Sequence, residues 1–324
     1  MANGIDLVIP MVFPADPVWQ ANYNRSHSEG RESLANVRFR SWGTEELLVR
    51  CCMKFMPWLR TIHILLSSES QMTYLSNLNN LMNQNTPRLH FVFHREFIPR
   101  QHVPTFNVCT IEMWLHKIPD LSEYFIYSND DFFPLSPLEP EDFFRPAPAE
   151  IIQNDGGGNE IVNCKSSNCK LWWPCQRFGE KPFPAKPNIF QSFVKNGLDM
   201  VAADFGKQFP DTWLRGGHSM QPMLRSTVEH VCTKHADRIA CSFTQQRSPC
   251  NFNQYIFPFW QHISGQYIDH EPKHAYVGPK VPTDKVAEYL RDPNPGIVCL
   301  NDNECMEDWQ NRAAIVRREI EARL

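Results

Sequence analysis

The stretch Tyr124-Phe-Ile-Tyr-Ser-Asn-Asp-Asp-Phe-Phe-Pro134 restricts this chain more than any other. Its first four residues are aromatic or β-branched and read as a short buried strand. The run then meets Ser128, Asn129, Asp130 and Asp131, which a strand interior does not carry without partners. Pro134 and Pro137 keep the strand from simply continuing. The carboxylates therefore belong at the strand's C-terminal edge, where open α/β sheets bind their ligands. Two adjacent carboxylates repel each other unless donors or a cation hold them. A divalent cation carrying a diphosphate satisfies both, because Mg²⁺ takes few carboxylates plus substrate phosphates. A solvated Asp-rich turn is the reading that the bare pair leaves open.

The chain before this stretch supplies a sheet for the strand to join. Ile5-Asp-Leu-Val-Ile-Pro-Met-Val12 is a first apolar run, with Asp6 near its start and Pro10 at its end. Asp16-Pro-Val-Trp19 reads as a turn, and residues 20–36, with Arg25, His27 and Arg31, as a polar loop over the site. Thr44 N-caps a helix whose apolar face is Leu47, Leu48, Cys51, Cys52 and Phe55, and Pro57 ends it. Ile62–Leu66 and Leu89–His94 are further strands, separated by an amphipathic helix over 71–82, and 107–117 predicts another helix. This alternation predicts a doubly wound α/β fold with a mostly parallel sheet. Past residue 145 the pattern predicts helices over 187–206, 221–236, 251–261 and 282–291. A strand over 296–300 ends in Asn301-Asp-Asn303, a second polar cluster placed as Asn129-Asp130-Asp131 is, and a closing helix buries Trp309, Ala313, Val316 and Ile320. The expected layout is an α/β core from 1–145 plus 296–324, closed over by a largely helical insertion from 146–295.

A net charge of −4 argues against a nucleic-acid binder that works by neutralising phosphates. No apolar run approaches ~18 residues, and the first residues lack the basic and apolar regions of a signal peptide. Eleven scattered cysteines, an odd number, fit a reducing cytosol. Cys164, Cys169 and Cys175 lack the C-x2-C knuckle and read as free thiols rather than zinc ligands. Gly156-Gly-Gly158 reads as a loop tip, since no phosphate-cradling spacing surrounds it.

Several blocks in order resemble the Stealth family of sugar-phosphate transferases, which includes bacterial capsular-polysaccharide phosphotransferases and the catalytic subunit of the lysosomal-enzyme GlcNAc-1-phosphotransferase. They are Ile5-Asp-Leu-Val with Asp16-Pro-Val-Trp19; Arg38-Phe-Arg40, Pro57-Trp58, Pro104-Thr-Phe-Asn107, Ile111-Glu112, Leu115-His116 and Phe125 to Asp131; His218 through Arg247 to Trp260; and Val298 to Asn303. Residues 146–214 carry no such block. The chain departs from the family's Tyr-Thr-Trp-Val-Asp-Gly at Ile9-Pro-Met-Val-Phe-Pro14, and Asn251 stands where the family often has an acid. The resemblance implies a nucleotide-sugar-transferase-like (GT-A/Rossmann-like) sheet and Mg²⁺ or Mn²⁺ as cofactor. It implies a nucleotide diphosphosugar donor, UDP-linked foremost, a saccharide or lipid-linked acceptor, and a cytoplasmic setting with peripheral contact at the inner face of the plasma membrane. The implied reaction moves a sugar-1-phosphate to an acceptor hydroxyl and releases a nucleoside monophosphate.

Phosphoryl transfer rests on positioning and charge stabilisation, which sets the expected roles. Asp130 and Asp131 are the expected metal ligands, with Asn301, Asp302 and Asn303 arriving from the second strand end. Asp6 is expected to complete that shell or to hold the nucleobase or ribose. Arg247 is expected to clamp the diphosphate by bidentate bonds. His218, beside Gly216-Gly217, is expected to take the acceptor proton, with Asp131 the alternative base. Arg38, Arg40, Asn107, Glu112, Asn129 and Asn251 are the remaining expected substrate contacts, while His116 packs structurally. A glycosyltransferase that releases a nucleoside diphosphate would use the same groups, and a non-catalytic glycan binder would use the Trp and Tyr side chains instead.

Overall fold

The computed structural model describes residues 4–26, 39–81, 87–147, 152–154, 160–162, 171–301 and 308–324. Arg38, Asp302 and Asn303 lie outside them, as do His27, Arg31, Gly156–Gly158, Cys164 and Cys169.

Four apolar runs form the parallel strands β1 (Ile5–Pro10), β2 (Thr61–Leu66), β3 (Arg88–Phe93) and β4 (Tyr124–Tyr127), in spatial order β4-β1-β2-β3. All six residues of β2 are buried, as a parallel strand covered on both faces requires. Side chains alternate between two cores. Leu7 and Ile9 face one with Leu48 and Cys52 of helix α2 (Glu45–Phe55) and with Val316 and Ile320 of the C-terminal helix Trp309–Glu321. Val8, Phe125 and Tyr127 face the other, against the helices Ile189–Ala203 and Ile256–Ser264.

Residues 146–295 contribute more than helices. Gln221–Leu224, expected as the start of a helix, is an extended strand pairing antiparallel with β4. Its four residues, three of them apolar, are all buried, and so short a run is compatible with a helical or an extended reading; pairing with a strand nearly a hundred positions earlier decides it. β5 (Phe132–Pro134) leaves the main sheet and pairs antiparallel with Ile297–Leu300, which in turn pairs parallel with His274–Val277. Asp131 and Asn301 thus adjoin directly hydrogen-bonded neighbours, with the Leu300 N–H donating to the Asp131 carbonyl at 2.8 Å.

Of the polar loop expected over 20–36, residues 20–26 belong instead to helix α1 (Pro17–Ser26), and 27–36 lie outside the described residues. Asp16 accepts from the Val18 and Trp19 N–H groups, Pro17 occupies the first turn, and Trp19 and Tyr23, four apart, bury against Phe106. Basic residues of the C-terminal helix region have partners within the fold: Arg312 is buried, Arg318 pairs with Glu319 and Arg323 donates to the Leu290 carbonyl. Among the described residues no helix is long and apolar enough to cross a membrane.

Candidate active site

The C-terminal edge of the sheet opens into a cavity of about 950 Å³. Its floor is the turn after β4. The Ser128 N–H donates to the Val8 carbonyl at 2.9 Å, continuing the ladder for one residue, and the chain then turns through Asn129, Asp130 and Asp131. Phe132 and Phe133, both buried, anchor the far side of that turn. All three polar residues line the cavity, together with Arg40, Glu112, Arg215, His218, Arg247 and Asn301.

Burial pushes the Asp131 carboxyl up to about 6, although the Cys299 thiol and the Asn301 amide pull the other way. Asp130 rises to about 7 through burial and the neighbouring charges of Asp131 and Glu45. Such carboxylates fit a cation, and the local oxygens agree: Asp131 Oδ1 and Asn301 Oδ1 are both buried without a hydrogen-bond donor. The nearest ligand-type atoms of Asp131, His218 and Cys299 lie within 4.8 Å of one another. Cys299 is a poor third ligand, because burial and Asp131 push its thiol far above the ordinary range and its Sγ–H donates to Asp131 Oδ2 at 3.5 Å. The donor set is therefore mainly hard oxygen, the kind that suits Mg²⁺ or Mn²⁺.

The sign of the carboxylate shifts gives a measurable consequence. A folded-state pKa above the unfolded value stabilises the protein below the unfolded pKa, and that stabilisation is lost as pH rises through the folded one. From Asp130 and Asp131 the cation-free protein should lose stability between about pH 4 and pH 7. Saturating Mg²⁺ should then raise the melting temperature by about 2–5 °C at pH 8 and by much less at pH 5. Equal shifts at both pH values, read against EDTA controls, would count against cation binding by these carboxylates.

His218 follows the strand Thr212–Gly216 and its ring packs edge-on against Phe132 and Tyr276. Gly217 is required beside it, since a Cβ there would lie 2.4 Å from the His274 ring. Burial, with His274 and Arg215 nearby, lowers His218 to about 4 and keeps the imidazole neutral at physiological pH. Arg247 is half-buried with its Nε unpartnered. Glu112 lines the same wall, accepting from the Tyr127 hydroxyl at 3.0 Å and the Gln254 N–H at 2.9 Å, and burial pushes it up to about 7. Arg40 reaches the cavity with its guanidinium over the Trp309 ring.

Three expected contacts belong elsewhere. Asp6 sits at the N-terminal end of β1, roughly 10 Å of strand below the Asp131 edge. Its oxygens are fully engaged by Arg60, by the Ser122 N–H and by His63, which outweigh burial and hold its carboxyl below the usual range. Asn107 and Asn251 are both fully buried and bond each other at 3.0 Å instead of lining the cavity. Asn107 also caps the helix Val108–Glu112 and donates to Thr244, while Asn251 accepts from the Ser248 N–H and donates to the Cys241 carbonyl. Between them they fix the loop that carries Arg247. Asn107→Ala should therefore cost about 2–4 kcal/mol in a denaturant melt and raise the donor KM, with both effects arising together.

Sequence reading missed Arg215, Glu45, His274 and Tyr276, all of which line the cavity. Arg215 directly precedes the Gly-Gly-His loop, and Tyr276 lies on the four-residue strand His274–Val277, too short to show a period.

Residues 38–151 match Stealth protein CR2, conserved region 2. The receptor polysaccharide phosphotransferase WefC of Streptococcus oralis is 28% identical over 330 residues, which span 94% of this chain and 92% of that protein. The capsular polysaccharide phosphotransferase LcbA of Aeromonas hydrophila is 37% identical over 147 residues, 44% of this chain and 38% of its own length. The solved galactosyltransferase LgtC, in complex with donor and acceptor sugar analogues, aligns over 98% of this chain and 95% of its own at a TM-score of 0.40 and 8% identity, a distance at which likeness carries no argument.

Proposed function

We propose that this chain is a Stealth protein, a reading supported by the match over residues 38–151 and the likeness to WefC, and that its cavity transfers a sugar-1-phosphate from a nucleotide diphosphosugar to a saccharide hydroxyl. The observation that supports this most is the grouping of Asp131 with Asn301 and His218 at one sheet edge, inside a cavity that Arg247 also lines. In the proposed reaction the acceptor oxygen bonds to the sugar-side phosphorus and the bond to the bridging oxygen breaks. The nucleoside monophosphate leaves with that oxygen.

Neutral His218 accepts the acceptor's hydroxyl proton at a ring nitrogen. Arg247 pairs with diphosphate oxygens, and Arg215 adds a second cation on the same wall. Glu112 holds Tyr127 and the Gln254 backbone in place behind them. Asp130, Asp131 and Asn301 would hold a Mg²⁺ or Mn²⁺ ion, which when bound supplies charge neutralisation for the diphosphate. Asp302 and Asn303 follow Asn301 directly in sequence and are proposed as further ligands. A saccharide or lipid-linked acceptor, and a cytoplasmic site of action at the inner membrane face, belong to the same proposal.

The test is the released nucleotide. Incubation with Mg²⁺, a nucleotide-sugar panel and acceptor saccharides should yield a nucleoside monophosphate. Release of a nucleoside diphosphate would instead mean attack at the anomeric carbon, and would overturn the assignment.

A further inference from the structure

Tyr276 lines two cavities at once: the catalytic one, and an open groove of about 680 Å³ that runs on across the helix Thr283–Arg291. Along this groove lie the rings of Tyr276 and Tyr289, 46% and 42% exposed. Exposed tyrosines are ordinary singly; here two share one groove that leads to a reaction centre.

The groove is built rather than incidental. A Cβ at Gly278 would stand 2.5 Å from the Tyr276 ring, so glycine is what lets the ring lie against the backbone there. The opposite face of that loop is fixed by buried Arg312, which donates to the Gly278 carbonyl at 2.8 Å and the Val281 carbonyl at 2.5 Å. His218 holds the inner edge of the Tyr276 ring at 5.6 Å between centroids, nearly perpendicular. The platform is therefore set before any ligand arrives, which lowers the cost of binding.

The charges select the occupant. Lys280 and Lys285 are balanced by Glu288 and Asp292, and Lys285 is already paired with Glu288 at 2.8 Å. A polyanion finds no net attraction in such a set. A neutral chain of pyranose rings does fit, with its C–H faces on the tyrosines and its hydroxyls shared between ammonium donors and carboxylate acceptors.

We propose that the Tyr276–Tyr289 groove binds a neutral oligosaccharide, the portion of the acceptor behind the hydroxyl that reacts. This rests on the transferase reading for the word acceptor, though the glycan site itself does not depend on it.

The test uses the full chain and titrates neutral hexasaccharides of glucose, galactose, N-acetylglucosamine and N-acetylgalactosamine, with their monosaccharides, by saturation-transfer NMR. At least one hexasaccharide should bind. Tyr289→Ala should weaken it by about three- to tenfold, while Tyr289→Phe keeps the ring and the affinity. Asp131→Asn should leave this binding unchanged. Equal binding by Tyr289→Ala, no binding by any hexasaccharide, or preference for heparin as a polyanion would each overturn the groove. If glycan binds yet no nucleoside monophosphate is released, the transferase reading fails and the groove stands.

Discussion

Asp131→Asn should lower sugar-phosphate transfer by about 10³-fold while the protein stays folded. The carboxylate has a buried oxygen without a donor, and its backbone carbonyl is held by the Leu300 N–H, so the change removes charge without moving the turn. Because burial raises Asp131 to about 6, its ionised form is disfavoured by the fold above that pH. The asparagine variant, without added cation at pH 7.5, should therefore melt at the same temperature as wild type or higher. Lost activity with retained or increased stability is the mark of a residue kept for chemistry. A fall in melting temperature that parallels the loss of transfer would instead assign Asp131 a structural role. Nucleotide release and thermal melts on the same preparations separate the two.

His218→Ala should reduce transfer by about 10²–10⁴-fold. The imidazole is lowered to about 4, so wild-type His218 is already neutral across the working range. The acid side of the rate profile should therefore follow the carboxylates, falling as pH drops from about 7 through about 6 while Asp130 and Asp131 gain protons. Added imidazole should restore part of the lost rate if the side chain acts as a base. Its closeness to Asp131 offers a second role, as a ligand to the cation. The Mg²⁺-dependent melting shift at pH 8 decides between them: retained in His218→Ala, it supports the base, and abolished, it supports the ligand.

What the sequence disclosed depended on how local each signal was. β1, β2 and β4 are short, largely apolar runs buried on both faces, β3 is a half-buried one at the sheet edge, and each is legible within a few residues. The polar turn after β4 was legible for the same reason, since Asp130 and Asp131 follow such a run directly. Gln221–Leu224 was not, because Gln-Pro-Met-Leu joined to a helix carries no periodicity, and only β4 makes it a strand. Asp6 shows the converse difficulty. An acid at the head of a strand resembles a ligand until Arg60 and His63, far along the chain, are seen to enclose it. Asn107 and Asn251 likewise look like substrate contacts singly, and only their mutual bond reveals that they serve Arg247 at one remove.

The antiparallel strand beside β4 also bears on how this protein is made. Synthesis runs from the N-terminus, so the paired carboxylates leave the ribosome well before the strand that seats the Gly-Gly-His loop. A nascent chain that has emerged only as far as the turn after β4 holds an acidic edge without His218, Arg215 or Arg247 opposite it. The site is then completed late, after Gln221–Leu224 has paired with the open sheet edge and Arg247 and Asn301 have followed it in the chain. Two separately expressed halves, divided between β5 and that strand, should each be inert and regain function only on mixing.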